Sequence, residues 1–202
     1  MEISVANIVS VTRAEGPGKR FAIWFQGCPM RCAHCCNPEM LAFKTDSNVS
    51  LSHVLDQVDR AIESDQIEGI TMLGGEPFAH SQGAAALGRA IQKRGLSVMV
   101  FSGYTLEQIH ALGEPHAIEF LAHIDLLVDG QYDASQPDES RRWIGSTNQQ
   151  IHFLTDRYAS SDAYWQQNDT LEIRLDKGEL SVNGFPAKSS IGFWKTLPRK
   201  KN

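Results

Sequence analysis

At 202 residues the chain is long enough for one domain with a substantial core and too short for two large ones. Its 42% hydrophobic and 21% charged residues fit an ordinary globular protein, and a net charge of −5 argues against a broad basic surface for nucleic acid. No apolar run is long enough to span a bilayer, and Met1 to Asn7 lack the basic and apolar regions of a secretory signal, so no membrane contact and a cytoplasmic location are expected.

In chain order, Ile3 to Val9 reads as an opening strand and Arg20 to Phe25 as a second, with Glu15-Gly16-Pro17-Gly18-Lys19 as the turn between them. Leu51, Val54, Leu55, Val58 and Ile62 recur at helical spacing behind a candidate N-cap at Ser50. A strand over Gly69 to Leu73 runs into Gly74-Gly75-Glu76-Pro77, and Ser81 to Arg94 reads as a helix stopped by Gly95. Leu96 to Phe101 is the next strand, Thr105 to Leu112 and His116 to His123 are helical, and Ile124 to Val128 is a strand leading into Asp129-Gly130. Strands alternating with helices predict an α/β fold with a mainly parallel sheet, whose ligands bind at the carboxyl ends of the strands. Thr170 to Leu175, the turn Asp176-Lys177-Gly178 and Glu179 to Asn183 read as a β-hairpin packed beside that sheet. Without repeats or low-complexity stretches, residues 1–202 read as a single domain, with a core over about 3–154 and an extension over about 155–202 ending in the basic Arg199-Lys200-Lys201-Asn202.

All four cysteines lie between positions 28 and 36, where disulfides would close only tiny loops. In a cytosolic chain such a cluster reads first as a metal site. Cys28, Cys32 and Cys35 have the spacing C-x3-C-x2-C. Three soft thiolates on a short loop suit an iron–sulfur cluster with one iron left open, and an open position marks a catalytic metal site. A zinc site completed by Cys36 or His34 is the bland alternative. Cys36 adjoins Cys35, so the two side chains are expected to diverge and Cys36 to stay off the cluster.

Here the sequence resembles the radical S-adenosylmethionine (SAM) enzymes, and within them the glycyl-radical-enzyme activating proteins. The resemblance rests on Gly16-Pro17-Gly18-Lys19-Arg20, Trp24 (usually phenylalanine in that pattern), Gly27 and the three cysteines. It continues through Gly74-Gly75-Glu76-Pro77, Val100 to Tyr104, Asp125 to Gly130 and Gly145-Ser146-Thr147-Asn148-Gln149, so that it runs in order from about Val9 to Leu154. It implies a partial (β/α)6-type barrel, here with the C-terminal β-hairpin added. Cys28, Cys32 and Cys35 would hold a 4Fe–4S cluster whose open iron binds SAM, and reductive cleavage would yield a 5′-deoxyadenosyl radical.

The resemblance further implies SAM contacts at Gly74, Gly75, Glu76 and Pro77, with Glu76 partly structural. Ser102, Asp129 and Asn148 could touch SAM or serve only local turns, as could Gln149, and His34 could shelter adenine through its backbone or stand as an exposed loop histidine. Arg20 reads equally as a surface or ion-paired cation and as a residue near the active site, while Trp24 and Phe25 read as core. The implied partners are a large glycyl-radical enzyme and a flavodoxin- or ferredoxin-type reductant. Two other readings stand beside it: the same chemistry on a small molecule or ribosomal peptide, and a non-catalytic iron–sulfur or zinc protein.

Overall fold

The computed structural model describes residues 1–176 and 179–185. Lys177 and Gly178 of the expected hairpin turn, and the basic end Arg199 to Asn202, lie outside the described residues.

Strands β1 (Glu2–Thr12) and β2 (Arg20–Phe25) pair antiparallel across the predicted turn. Gly16 and Gly18 take φ values of 139° and 72° there, a region open to glycine and strained for other residues. Next come β3 (Asn48–Ser50), α1 (Leu51–Asp65), β4 (Gly69–Gly74), α2 (Ser81–Gln92) and β5 (Ser97–Phe101). After them lie α3 (Leu106–Leu112), α4 (Pro115–Leu121), β6 (Leu126–Asp129) and β7 (Gln150–Phe153). The sheet order is β3-β1-β2-β4-β5-β6-β7, with β2, β4, β5 and β6 parallel and β1 and β7 antiparallel on either side.

The parallel block therefore has four strands where the expected barrel pattern has six. The turn between β1 and β2 is too short for a parallel crossover, which takes a dozen residues or more. No described helix lies between β6 and β7. Both connections consequently deliver antiparallel neighbours.

Caps fix where the helices begin. Ser50 Oγ accepts the His53 N–H at 3.2 Å, as the sequence predicts, and Thr105 with Gln108 forms a reciprocal capping box at α3. Each such cap is worth about 1 kcal/mol. Gly113, with φ 60°, ends α3.

Because side chains alternate along a strand, the sheet has two buried faces. Phe21, Ile23, Phe25, Ile70, Met72, Val98, Val100 and Leu127 pack against Val54 and Val58 of α1, Leu87 and Ile91 of α2 and Phe120 of α4. Each fully buried large apolar side chain contributes about 1.5–3 kcal/mol. On the other face, register aligns Ala22 with Thr71 and Met99, and Trp24 with Leu73. That face is covered by Met40 from the cysteine loop and by Trp143, Ile144, Tyr158, Tyr164 and Trp165.

The predicted hairpin is present as β8 (Leu171–Asp176) and β9 (Glu179–Gly184), a separate two-stranded sheet. It docks on the end of β1 through polar groups. Glu172 accepts the Arg13 N–H at 2.7 Å, Asn183 Nδ2 donates to Thr12 Oγ1 at 2.8 Å, and Gly184 N–H donates to Glu15 Oε1 at 2.7 Å. Phe185 then reaches Phe101, ring centroids 6.0 Å apart.

Candidate metal centre

The loops that follow β2, β4, β5 and β6 meet at one end of the sheet. Gly75 N–H donates to Phe25 O at 2.8 Å and Glu76 N–H to Gly27 O at 2.9 Å, which fastens the Gly-Gly-Glu-Pro turn to the start of the cysteine loop. A Cβ on Gly75 would lie 2.3 Å from Gly27 O, and one on Gly74, whose φ is 94°, would lie 2.6 Å from the Trp24 Cβ. Only glycine allows this approach. Pro77 opens a 3-10 turn over Pro77–His80 that carries the chain away into α2.

The cysteine loop is bent by Arg31 (φ 51°) and His34 (φ 60°). Cys28 is buried, Cys32 and Cys35 are half-buried, and Cys36 is exposed. The Asn37 N–H donates to Cys35 Sγ at 3.4 Å. Burial pushes the Cys28 and Cys32 thiols up, reinforced at Cys28 by Glu76 and Cys35 and at Cys32 by Cys28 and Cys35. Cys35 instead falls to about 6, because the Cys36 thiol donates to it, and Cys36 rises for the same reason.

No three His, Cys, Asp or Glu side chains among the described residues are gathered tightly enough to hold a single metal ion. The three thiols fit a larger group. They are soft donors on one bent loop, and Cys35 receives a peptide N–H suited to a thiolate, which fits an iron–sulfur cluster.

Glu76 is completely enclosed, and burial raises its carboxyl to about 7 against the pull of three donors. These are Phe78 N–H at 2.9 Å, Ser102 Oγ at 2.9 Å and Gly103 N–H at 2.8 Å. Ser102 Oγ also accepts the Tyr104 N–H at 3.0 Å. Asp129 Oδ2 accepts from Leu106 N–H at 2.7 Å and pairs with His152 Nε2 at 2.8 Å. Asn148 Nδ2 donates to Gln131 O at 2.8 Å, while His34 stands exposed on the cysteine loop. The site residues expected from the sequence are thereby brought to the ends of β2, β4, β5 and β6, and the side chains of Glu76, Ser102, Asp129 and Asn148 all bond to the protein itself.

Arg20 lies elsewhere. It begins β2, at the opposite end of the strand from the cysteines, and is fully buried. Its guanidinium donates to Thr71 Oγ1 at 3.1 Å, Tyr158 OH at 3.2 Å, Ser97 Oγ and Ile70 O, with no carboxylate bound among the described residues. Neither the surface cation nor the active-site role read from the sequence holds, since strand order places the β2 amino end among the feet of β4 and β5.

Sequence reasoning assigned nothing to Met30, Gln131 or Tyr132. A Cβ on Gly103 would strike Met30 Sδ at 2.2 Å, and Tyr104 sits in the fields of Glu76 and Cys28, where burial raises its hydroxyl. None of the three carries a spacing signal: Met30 sits on the loop after β2, and Gln131 and Tyr132 sit together on the loop after β6.

Residues 14–152 match the family model described as a 4Fe-4S single cluster domain. A Haemophilus influenzae protein named as a glycyl-radical enzyme activating enzyme is 35% identical over 97 residues, covering 47% of this chain and 36% of that protein. The chain thus spans about a third of that relative's length. An Escherichia coli anaerobic ribonucleoside-triphosphate reductase-activating protein is 28% identical over 147 residues, covering 69% of this chain and 91% of that one. Among solved structures, QueE from Escherichia coli aligns with a TM-score of 0.45 and 19% identity over 52% of this chain and 54% of that chain. No helix among the described residues is long and apolar enough to cross a membrane. The expected 4Fe–4S cluster and SAM accord with the family and with these relatives. With its three cysteines inside a match that spans most of its length, the chain belongs to the 4Fe–4S single cluster domain family.

Proposed function

We propose that the chain is a radical SAM enzyme that activates a separate glycyl-radical enzyme. The observation that carries this reading is the contact between the cysteine loop and the Gly74-Gly75 turn. There a three-thiolate donor set meets a stretch of backbone that no side chain can cover. The relatives named for such activation support the choice of substrate.

Cys28, Cys32 and Cys35 hold the cluster, and Gly74, Gly75 and Pro77 offer the SAM amino group a close backbone surface. Glu76, Ser102 and Asp129 set the shape of that surface, and the His34 backbone shelters adenine. Together the bound cofactors supply one-electron cleavage of the SAM C–S bond, giving methionine and a 5′-deoxyadenosyl radical able to take the α-hydrogen of a glycine. The chain's own task is to orient SAM and exclude water, which fixes reactants at high effective concentration. The sheet serves as a partial barrel in one domain spanning 1–202, and a flavodoxin- or ferredoxin-type protein supplies the electron.

The test is anaerobic. Cluster-loaded protein, SAM and reductant are mixed with a glycyl-radical enzyme whose radical-site glycine carries α-deuterium. Deuterium in 5′-deoxyadenosine is the expected result. SAM cleavage with deuterium arriving only from a small molecule or a short peptide would overturn the choice of substrate.

A further inference from the structure

The cysteine loop leaves the sheet and returns to it through one neck. Gly27 N–H donates to Met40 O at 2.8 Å and Cys28 N–H to Leu41 O at 3.1 Å, so the chain entering the loop pairs with the chain leaving it. The Gln26 side chain, only 4% exposed, spans the same neck. Its Nε2 donates to Ala42 O at 2.6 Å and to Glu39 O at 3.3 Å. Gln26 is itself fixed to the sheet, because its N–H donates to Ser4 O of β1 at 3.1 Å. Phe43 covers Gly27, where a Cβ would meet the ring at 2.5 Å. His80 backs this arrangement, stacked on Phe25 with ring centroids 5.6 Å apart and lying 5.7 Å from the Phe43 ring.

We propose that Gln26 is a positioning residue whose amide closes the neck before any cluster binds, so that the loop presents Cys28, Cys32 and Cys35 as a preformed set and releases iron slowly. This rests on the reading of those cysteines as cluster ligands. Bringing the ends of a flexible loop together costs entropy, and a neck closed by protein groups bears that cost before metal arrives. Less of the metal-binding free energy is then spent on ordering the chain. For the ligands to separate by opening of the neck, the Gln26 bonds must break together with the two backbone bonds beside them.

Gln26→Met keeps the length and apolar stem of the side chain and removes the donor. Glu39 and Ala42 are exposed, so the two freed carbonyls can turn to water and the fold is spared a buried unpaired acceptor. Ile91→Val, a truncation in the core beneath α2, serves as the control for a general loss of stability.

Amide hydrogen exchange of the cluster-free proteins, followed by NMR, reads the neck directly. In Gln26→Met the Gly27 and Cys28 N–H groups should exchange about tenfold faster than in the parent, the scale of two lost hydrogen bonds. Reconstituted proteins challenged anaerobically with excess iron chelator should release iron faster by a similar factor in Gln26→Met and at the parent's rate in Ile91→Val. Unchanged iron release in Gln26→Met would overturn the inference even if exchange were faster, and equal acceleration in Ile91→Val would overturn it by tracing the effect to general stability. Either result leaves the reading of the cysteines standing. A parent protein that assembled no 4Fe–4S cluster would overturn that reading and the inference with it.

Discussion

Ser102 Oγ donates to Glu76 Oε1 at 2.9 Å, joining the turn after β4 to the loop after β5 inside a site closed to solvent. A buried acceptor that loses a donor bears a desolvation penalty of about 1–3 kcal/mol. Ser102→Ala should therefore lower unfolding stability by roughly 1–2 kcal/mol, since the Tyr104 N–H loses its acceptor as well. Glu76→Gln should cost at least as much, because one amide donor must face the N–H of Phe78 or Gly103, or the Ser102 hydroxyl. Denaturant unfolding of both variants at matched cluster content checks the ordering. Equal stability to the parent would mean that this carboxyl does not tie the loops.

The cysteines are separable. Alanine at Cys28, Cys32 or Cys35 is expected to abolish 4Fe–4S assembly, measured as iron and sulfide content, whereas Cys36→Ala should retain the cluster and SAM cleavage. In the cluster-free protein, Cys36→Ala should also slow alkylation of Cys35 near pH 7, because Cys35 loses the thiol donor that holds it at about 6. Loss of the cluster in the Cys36 variant would make that residue a ligand.

Much of the centre was legible because its residues are contiguous: the C-x3-C-x2-C loop and Gly-Gly-Glu-Pro are read along the chain. Strand β2 was legible as well, since Phe21-Ala22-Ile23-Trp24-Phe25 is buried on both faces and shows as an unbroken apolar run. Strands β3 and β7 were missed. They hold three and four residues, too few to show a period, and only pairing with β1 and β6 defines them. Arg20 was misplaced for a similar reason. Its partner Tyr158 lies 138 positions away, so its burial exists only in the folded chain.

Arg20 supplies a test at the foot of the sheet. Removing it strands Ser97, Thr71, Tyr158 and the Ile70 carbonyl without their donor. Arg20→Ala should cost roughly 3–5 kcal/mol, the range for breaking buried charged networks. Arg20→Lys should recover part of that, since an ammonium reaches fewer acceptors. SAM affinity of whatever fraction stays folded should be unaffected, and a selective loss of SAM binding would place Arg20 in the site after all.

Glu15 predicts a pH dependence. It is 3% exposed, and burial raises its carboxyl to about 7 from 4.5, despite hydrogen bonds from Gly184 N–H and Asn183, with Glu172 nearby. Since the folded value lies above the unfolded one, the protonated form suits the folded protein. The associated stability is complete below pH 4.5 and is lost as pH rises through about 7. By pH 8 the loss is on the order of 3 kcal/mol. Glu15→Gln keeps an acceptor for Gly184 and removes the titration, so its melting temperature should exceed the parent's at pH 8 and converge with it near pH 5. Parallel pH profiles for the two proteins would count against this assignment.

The Gly74-Gly75 turn also bears on how readily the chain can be re-engineered. Its contact surface is peptide backbone, and the adjoining carboxylate is committed to its own protein, so substitution there has little to retune and much to break. A library seeking acceptance of modified SAM analogues would do better to vary Met30, Tyr104 and Tyr132. These are half-buried side chains beside a backbone surface that must stay as it is.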